Sequence, residues 1–179
     1  ENASLFDVSH MGQIRIHGAD AAKTLETIVP GNIDGLAPGG MRYTMLTTDV
    51  GTIIDDIMVT REDDGLFVVV NASRLEFDLP HMQAKIGSDV EVEVLKDRAL
   101  IALQGPKAAA ALADLSSEVT GMPFMSARTI TIDRIETLVN RCGYTGEDGF
   151  EISISNSKVE KLIDYLISNE VKPIGLGAR

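Results

Sequence analysis

Apolar and polar residues alternate along Gln13-Ile14-Arg15-Ile16-His17, a period of two that predicts a short strand ending at Gly18. Ala21, Ala22, Leu25, Ile28 and Val29 then recur at helical spacing, with Asp20 placed to cap. Pro30-Gly31 and Pro38-Gly39-Gly40 mark an irregular loop. Three strands are predicted at Tyr43–Thr47, Ile53–Thr60 and Leu66–Val70. Leu75, Leu79, Met82 and Ile86 give a second helical face with Pro80 as its weak point, and Val90–Leu95 closes as an alternating strand. The predicted order is β-α-β-β-β-α-β.

The pattern begins again at Leu100. Leu100–Gln104 reads as a strand ending at Gly105, and an Ala-rich helix from Lys107 follows with Ala108, Leu112 and Leu115 on one face. Strands at Thr129–Asp133, Thr137–Arg141 and Phe150–Ser155 precede a helix whose stripe is Val159, Leu162, Ile163, Leu166 and Ile167. Val171–Ile174 is the closing strand. Short local matches link the halves: Gly18–Leu25 parallels Gly105–Leu112, and Val70–Glu76 parallels Ser155–Glu160. The expected fold class is therefore α+β: two related β-α-β-β-β-α-β units, each an antiparallel sheet covered by helices. The units are expected at 13–96 and 97–179, separated at the charged triplet Lys96-Asp97-Arg98.

Composition narrows the function classes. The 179 residues are 44% hydrophobic and carry a net charge of -11, which argues against a nucleic-acid-binding surface. No run of about 18 apolar residues suggests a membrane span, and the first residues show no targeting peptide. The one cysteine, Cys142, cannot form an internal disulfide and is expected to pack rather than react; His10, His17 and His81 lack metal-motif spacing. No metal is expected. A reducing compartment fits: bacterial cytoplasm, or mitochondrial matrix for a eukaryotic source. The chain begins close to Leu5-Phe6-Asp7-Val8 and stops at Gly175-Leu176-Gly177-Ala178-Arg179, which reads as a fragment of a longer protein.

Several residues are candidates for chemistry. Asp55 and Asp56 are adjacent in a strand and should point to opposite faces, which argues against a paired-carboxylate site. If Asp56 is the inward one, it shares a face with Ile54 and Met58 and needs a partner or a ligand; otherwise it is a strand-start turn acid. Asn71 follows an apolar strand and reads as a strand-end turn or a helix cap. Glu151 lies opposite Phe150 and Ile152 and reads plainly as a solvated acid. Tyr43 and Met11 read as strand and core packing, and Tyr144 as packing in a hairpin. Two glycines and two acids in Gly146-Glu147-Asp148-Gly149 fit that hairpin's connection.

Five stretches, LFDVSHMG, GTIIDDIMVT, VVVNAS, ALQGP and RCGYTGEDGFEISI, taken in order, resemble the T-protein family, the aminomethyltransferases of the glycine cleavage system. The resemblance implies an enzyme that moves the methylene of an aminomethyl-lipoyl arm on H-protein to tetrahydrofolate and releases ammonia. It implies that Asp56 is catalytic, assisting a pterin nitrogen, and that Met11, Tyr43, Val69, Asn71, Tyr144, Glu151 and Arg179 bind folate. Gly51-Thr52 departs from the family's usual pair of glycines. By the same resemblance, residues 1–12 join the second unit in a discontinuous domain, and the full enzyme adds a C-terminal β-barrel domain. The chain alone is then expected to be inactive. The rival readings are a folate module of dimethylglycine or sarcosine dehydrogenases, and a non-enzymatic folate-binding relative in tRNA modification or iron–sulfur assembly.

Overall fold

The computed structural model describes residues 2–87, 89–132, 134–175 and 177. In chain order the elements are β1 (Ser4–Asp7), β2 (Gly12–His17), α1 (Ala21–Leu25), β3 (Met41–Thr47), β4 (Ile53–Arg61), β5 (Gly65–Val70), α2 (Leu75–Lys85), β6 (Glu91–Val94), β7 (Arg98–Gln104), α3 (Ala108–Ala113), β8 (Ser126–Ile132), β9 (Ile135–Arg141), β10 (Gly149–Ser155), α4 (Asn156–Ser168) and β11 (Lys172–Pro173). The architecture is mixed α+β with two sheets. The chain divides into two compact units, His10–Lys96 and Glu1–Ser9 with Asp97–Arg179.

In the unit His10–Lys96 the sheet order is β3-β4-β5-β2-β6, and every pair is antiparallel. Alternation selects one face for the core. Ile14 and Ile16 of β2, Ile57 and Val59 of β4, and Leu66, Val68 and Val70 of β5 pack with Ala21, Ala22 and Leu25 of α1 and Met82 of α2. Each of the Ile, Val, Leu and Met side chains contributes about 1.5–3 kcal/mol by leaving water. The opposite face is not fully wet: Phe67, Val69 and Gln13 are buried there too. Helix α2 runs through Pro80. The N–H that proline lacks would have bonded the carbonyl of Glu76, and both residues are exposed, so water can serve that carbonyl.

The other unit has the order β11-β1-β7-β10-β9-β8. Its core joins Ile101 and Leu103 of β7, Val139 of β9 and Phe150, Ile152 and Ile154 of β10 to Leu112 of α3 and Leu162 and Leu166 of α4. Strand β1 is an element that periodicity does not reveal, because Leu5 and Phe6 are buried on adjacent positions and leave no alternation. It also breaks the expected all-antiparallel sheet. β1 is antiparallel to β7 but parallel to β11, since it arrives from a separate segment and lies between them.

Other differences are local. Asp20 occupies the N-cap of α1 without a capping side-chain bond and lies 3.7 Å from Lys23 instead. Helices α1 and α3 stop at Leu25 and Ala113, short of Val29 and Leu115. Ile167, placed on the apolar stripe of α4, is 43% exposed.

Candidate active site

Strand β4 carries Asp55 and Asp56 on opposite faces, as alternation requires. Asp55 takes the core side with Ile57 and Val59 and is 8% exposed, while Asp56 is half-buried on the other side with Ile54 and Met58. The inward acid is therefore Asp55. The two carboxylates point to opposite sides, as alternation predicts, yet both reach one donor. The side-chain Nδ2 of Asn71 lies 3.1 Å from Asp55 Oδ1, 3.1 Å from Asp56 Oδ1 and 3.2 Å from the Asp56 carbonyl oxygen. Three oxygens around one amide atom require that atom to be the nitrogen.

The reason is where Asn71 sits. Pairing of β4 with β5 ends at Ile57 opposite Val70, so Asn71 has just left the ladder and its side chain is free to lean back over the strand end. It occupies the N-cap of a short 3-10 turn, Ala72–Arg74, but its side chain makes no capping bond there. Its amide is spent on the two acids instead.

Tyr43 completes this edge. It pairs in register with Met58 on the neighbouring strand, two residues from Asp56 on the same face. Its phenol lies near the Asp56 carboxylate, and its pKa is raised, first by partial removal from water and then by the negative charge of Asp56. Met58 in turn pairs with Val69, and Val69 with Gln13, so Tyr43, Met58, Val69 and Gln13 form one row across four strands. Met11 stands half-buried just before β2. Of the residues expected to bind folate, Tyr43, Val69 and Asn71 thus lie on or at the end of the same sheet face as Asp56.

Behind Asp55 stands a residue that the sequence reading missed. Asp78 of α2 is 0% exposed and one turn from the core residue Met82. Neither of its carboxyl oxygens has an N–H or O–H donor, and Asp55 Oδ2 has none either. Arg74 approaches the group, but its Nη2 donates to the Ile54 carbonyl at 3.0 Å and its guanidinium lies 4.8 Å over the Phe77 ring. The pKa of Asp78 is pushed up to about 7, first by burial, then by the neighbouring Asp55 carboxyl, with Arg74 opposing. An acid one turn from Met82 on the inner stripe of α2 was the available signal.

The remaining candidates belong to the other unit. Glu151 is 5% exposed, not a solvated acid, because β10 is buried on both faces; in register it lies between Ala102 and Asn140. Tyr144, in the connection from β9 to β10, is 57% exposed rather than packed in the hairpin. Arg179 lies outside the described residues. Cys142 is buried, its thiol 3.9 Å from the Asn140 carbonyl.

The same connection has an internal brace. The Gln104 side chain donates to the carbonyls of Cys142 at 2.9 Å and Phe150 at 3.3 Å, and its Oε1 accepts from Thr145 Oγ1 at 2.9 Å. A Cβ at Gly143 or Gly149 would fall within 2.6 Å of that side chain, so both positions need glycine for space. Arg141 clamps Asp148 with two bonds of 2.9 and 2.7 Å. Among the described residues no group of three or more His, Cys, Asp or Glu is placed to hold a metal ion, and no helix is long and apolar enough to cross a membrane.

Comparison with known proteins identifies the family. The family model for the GCVT N-terminal domain matches residues 1–179. The mitochondrial aminomethyltransferase of Dictyostelium discoideum is 41% identical over 196 residues, covering 100% of this chain and 49% of that protein. The human mitochondrial aminomethyltransferase is 43% identical over 189 residues, covering 100% and 47%. The crystal structure of glycine cleavage system aminomethyltransferase T from Bartonella henselae superposes with a TM-score of 0.91 at 34% identity, covering 99% of this chain and 49% of that one. A heterotetrameric sarcosine oxidase from Corynebacterium, at 21% identity and a TM-score of 0.64, shares the fold. The chain spans about half the length of the curated relatives it matches. By the match along its whole length and the identity to these relatives, the chain belongs to the GCVT N-terminal domain family.

Proposed function

We propose that this chain carries the folate-side chemistry of an aminomethyltransferase of the glycine cleavage system. The observation that carries the reading is the Asp56 carboxylate, held by the Asn71 amide on a sheet face that it shares with Tyr43. In the transfer, a tetrahydrofolate nitrogen attacks the methylene carbon of an aminomethyl group carried on the lipoyl sulfur of H-protein. The bonds from that carbon to the amine and to sulfur break as a second folate nitrogen closes methylenetetrahydrofolate; of the two protons the folate nitrogens lose, one leaves with the amine as ammonia and the other stays on sulfur as the dihydrolipoyl thiol. Asp56 accepts a hydrogen bond from the attacking pterin N–H and offsets the positive charge that grows as the amine departs. Asn71 fixes the carboxylate, Tyr43 stands beside it, and Val69 and Met11 supply apolar wall. The folate roles of Tyr144, Glu151 and Arg179 rest on the family resemblance. The names of its relatives place those proteins in mitochondria; the matrix is the compartment proposed for a eukaryotic source, the cytoplasm for a bacterial one.

Calorimetry tests the folate half of this reading. Tetrahydrofolate titrated into the full-length protein carrying this chain should bind, and Asp56→Asn should hold it within about threefold of the unchanged affinity, since the acid acts mainly on the reacting state. Absence of any folate heat in the full-length protein would remove the reading.

A further inference from the structure

Asp78 has no role in the transfer as described above. Its two carboxyl oxygens and Asp55 Oδ2 are buried polar atoms without a donor, and the group that Asp78 faces is the Asp55 carboxyl. Two ionised carboxylates facing each other in a buried site repel. One proton between them turns the contact into a short, charge-assisted O–H···O bond. The charged groups around Asp78 are Asp55 and Asp56 from β4 and Arg74 from the turn before α2. Arg74 offsets part of the negative charge, but its Nε meets no acceptor and its Nη2 is taken by Ile54. The proton is the remaining way to satisfy the pair.

We propose that Asp78 is a positioning residue for Asp56, holding one proton against Asp55 Oδ2 so that Asp55 Oδ1 anchors the Asn71 amide that orients the Asp56 carboxylate. The proposal rests on the assignment of transfer chemistry to Asp56. The chain of contacts is continuous: Asp78 to Asp55, Asp55 Oδ1 to Asn71 Nδ2 at 3.1 Å, and Asn71 Nδ2 to Asp56 Oδ1 at 3.1 Å. Loss of the proton sets Asp55 and Asp78 against each other at one end, and Asn71 shifts at the other. The burial and mutual charge already described place that loss near neutral pH, so the relay is tight below it and loosens above it.

Side-chain amide NMR of Asn71, with carboxyl-labelled aspartate, reads the relay directly in this 179-residue chain. Between about pH 5.5 and 8.5 the Asn71 Nδ2 resonances should move with a midpoint near 7, together with the Asp78 carboxyl carbon. Asp78→Asn keeps the shape, offers an N–H to Asp55 Oδ2 and should abolish that movement; Asp78→Leu offers nothing and should displace the Asn71 resonances at every pH. Asn71 resonances that ignore pH, or that titrate unchanged in Asp78→Asn, overturn the proposal. Turnover by the full-length protein separates this outcome from that of the assigned reaction. If Asp56→Asn leaves aminomethyl transfer intact, the assigned reaction falls whatever the NMR shows. If Asp56→Asn stops transfer while Asn71 does not titrate, the relay alone falls. With both standing, the loss of kcat as pH rises through about 7 should flatten in Asp78→Asn with little change in KM for folate.

Discussion

Asn71 is the residue at which two acids on opposite faces of a strand become one arrangement. Its single Nδ2 serves both Oδ1 atoms, so Asn71→Ala leaves two partly buried acceptors without that donor. The expected loss is about 1–3 kcal/mol of unfolding free energy, measured by urea denaturation, with a matching fall in transfer. Asp78 makes a prediction with a definite sign. Its folded pKa, about 7, lies above its ordinary value of 3.8, so the folded state holds more protons than the unfolded chain between those values. Its contribution is fully present below the ordinary value and lost as pH rises through about 7. Asp78→Asn should therefore be more stable than the unchanged protein at about pH 8, and the advantage should vanish near pH 4 in denaturant titrations. Asp56 stood out in the sequence as a candidate because the family stretch GTIIDDIMVT marks it. Asp78 did not, because an acid inside the stripe Leu75, Leu79, Met82 reads as a solvated residue until the helix is seen against β4.

At the scale of elements, the hairpin from β9 to β10 shows what its motif is for physically. Gln104, at the end of β7, fills the space left open by Gly143 and Gly149 and ties their carbonyl neighbours together. Gly143→Ala would drive a Cβ into the Gln104 Oε1, and the overpacking should cost about 1–3 kcal/mol in thermal unfolding. Gln104→Ala in the same chain should recover part of that loss; if Gly143→Ala is neutral, the brace is misread. Asp148 gives a pH dependence opposite to that of Asp78. The Arg141 hydrogen bond and charge hold its pKa below the ordinary value, so its contribution is present above that value and lost as pH falls through the lowered one. Asp148→Asn should flatten the acid side of the stability profile. The hairpin and most strands could be read from periodicity and glycine placement. Gln104 could not, since its partners lie 38 and 46 residues away and no local pattern encodes them.

At the scale of the molecule, both units thread their strands in the same way. β3-β4-β5-β2-β6 in one corresponds to β8-β9-β10-β7 followed by β11 in the other, with β1 interposed between β7 and β11. The repetition of element order was readable from the sequence; the interposed strand was not, because Ser4–Asp7 is four residues long with adjacent buried positions. Removing residues 1–9 takes an inner strand from the sheet and uncovers Leu5 and Phe6 contacts, so that unit should lose cooperative unfolding while His10–Lys96, whose sheet and core are its own, keeps its protected amides in hydrogen exchange. The central claim is that Asp56 performs aminomethyl transfer to tetrahydrofolate, and single-turnover transfer from aminomethyl-lipoyl H-protein by the full-length protein tests it most directly. Asp56→Asn should slow methylenetetrahydrofolate formation by about 100-fold or more while folate affinity stays within about threefold. Transfer by the variant at the unchanged rate would contradict the account.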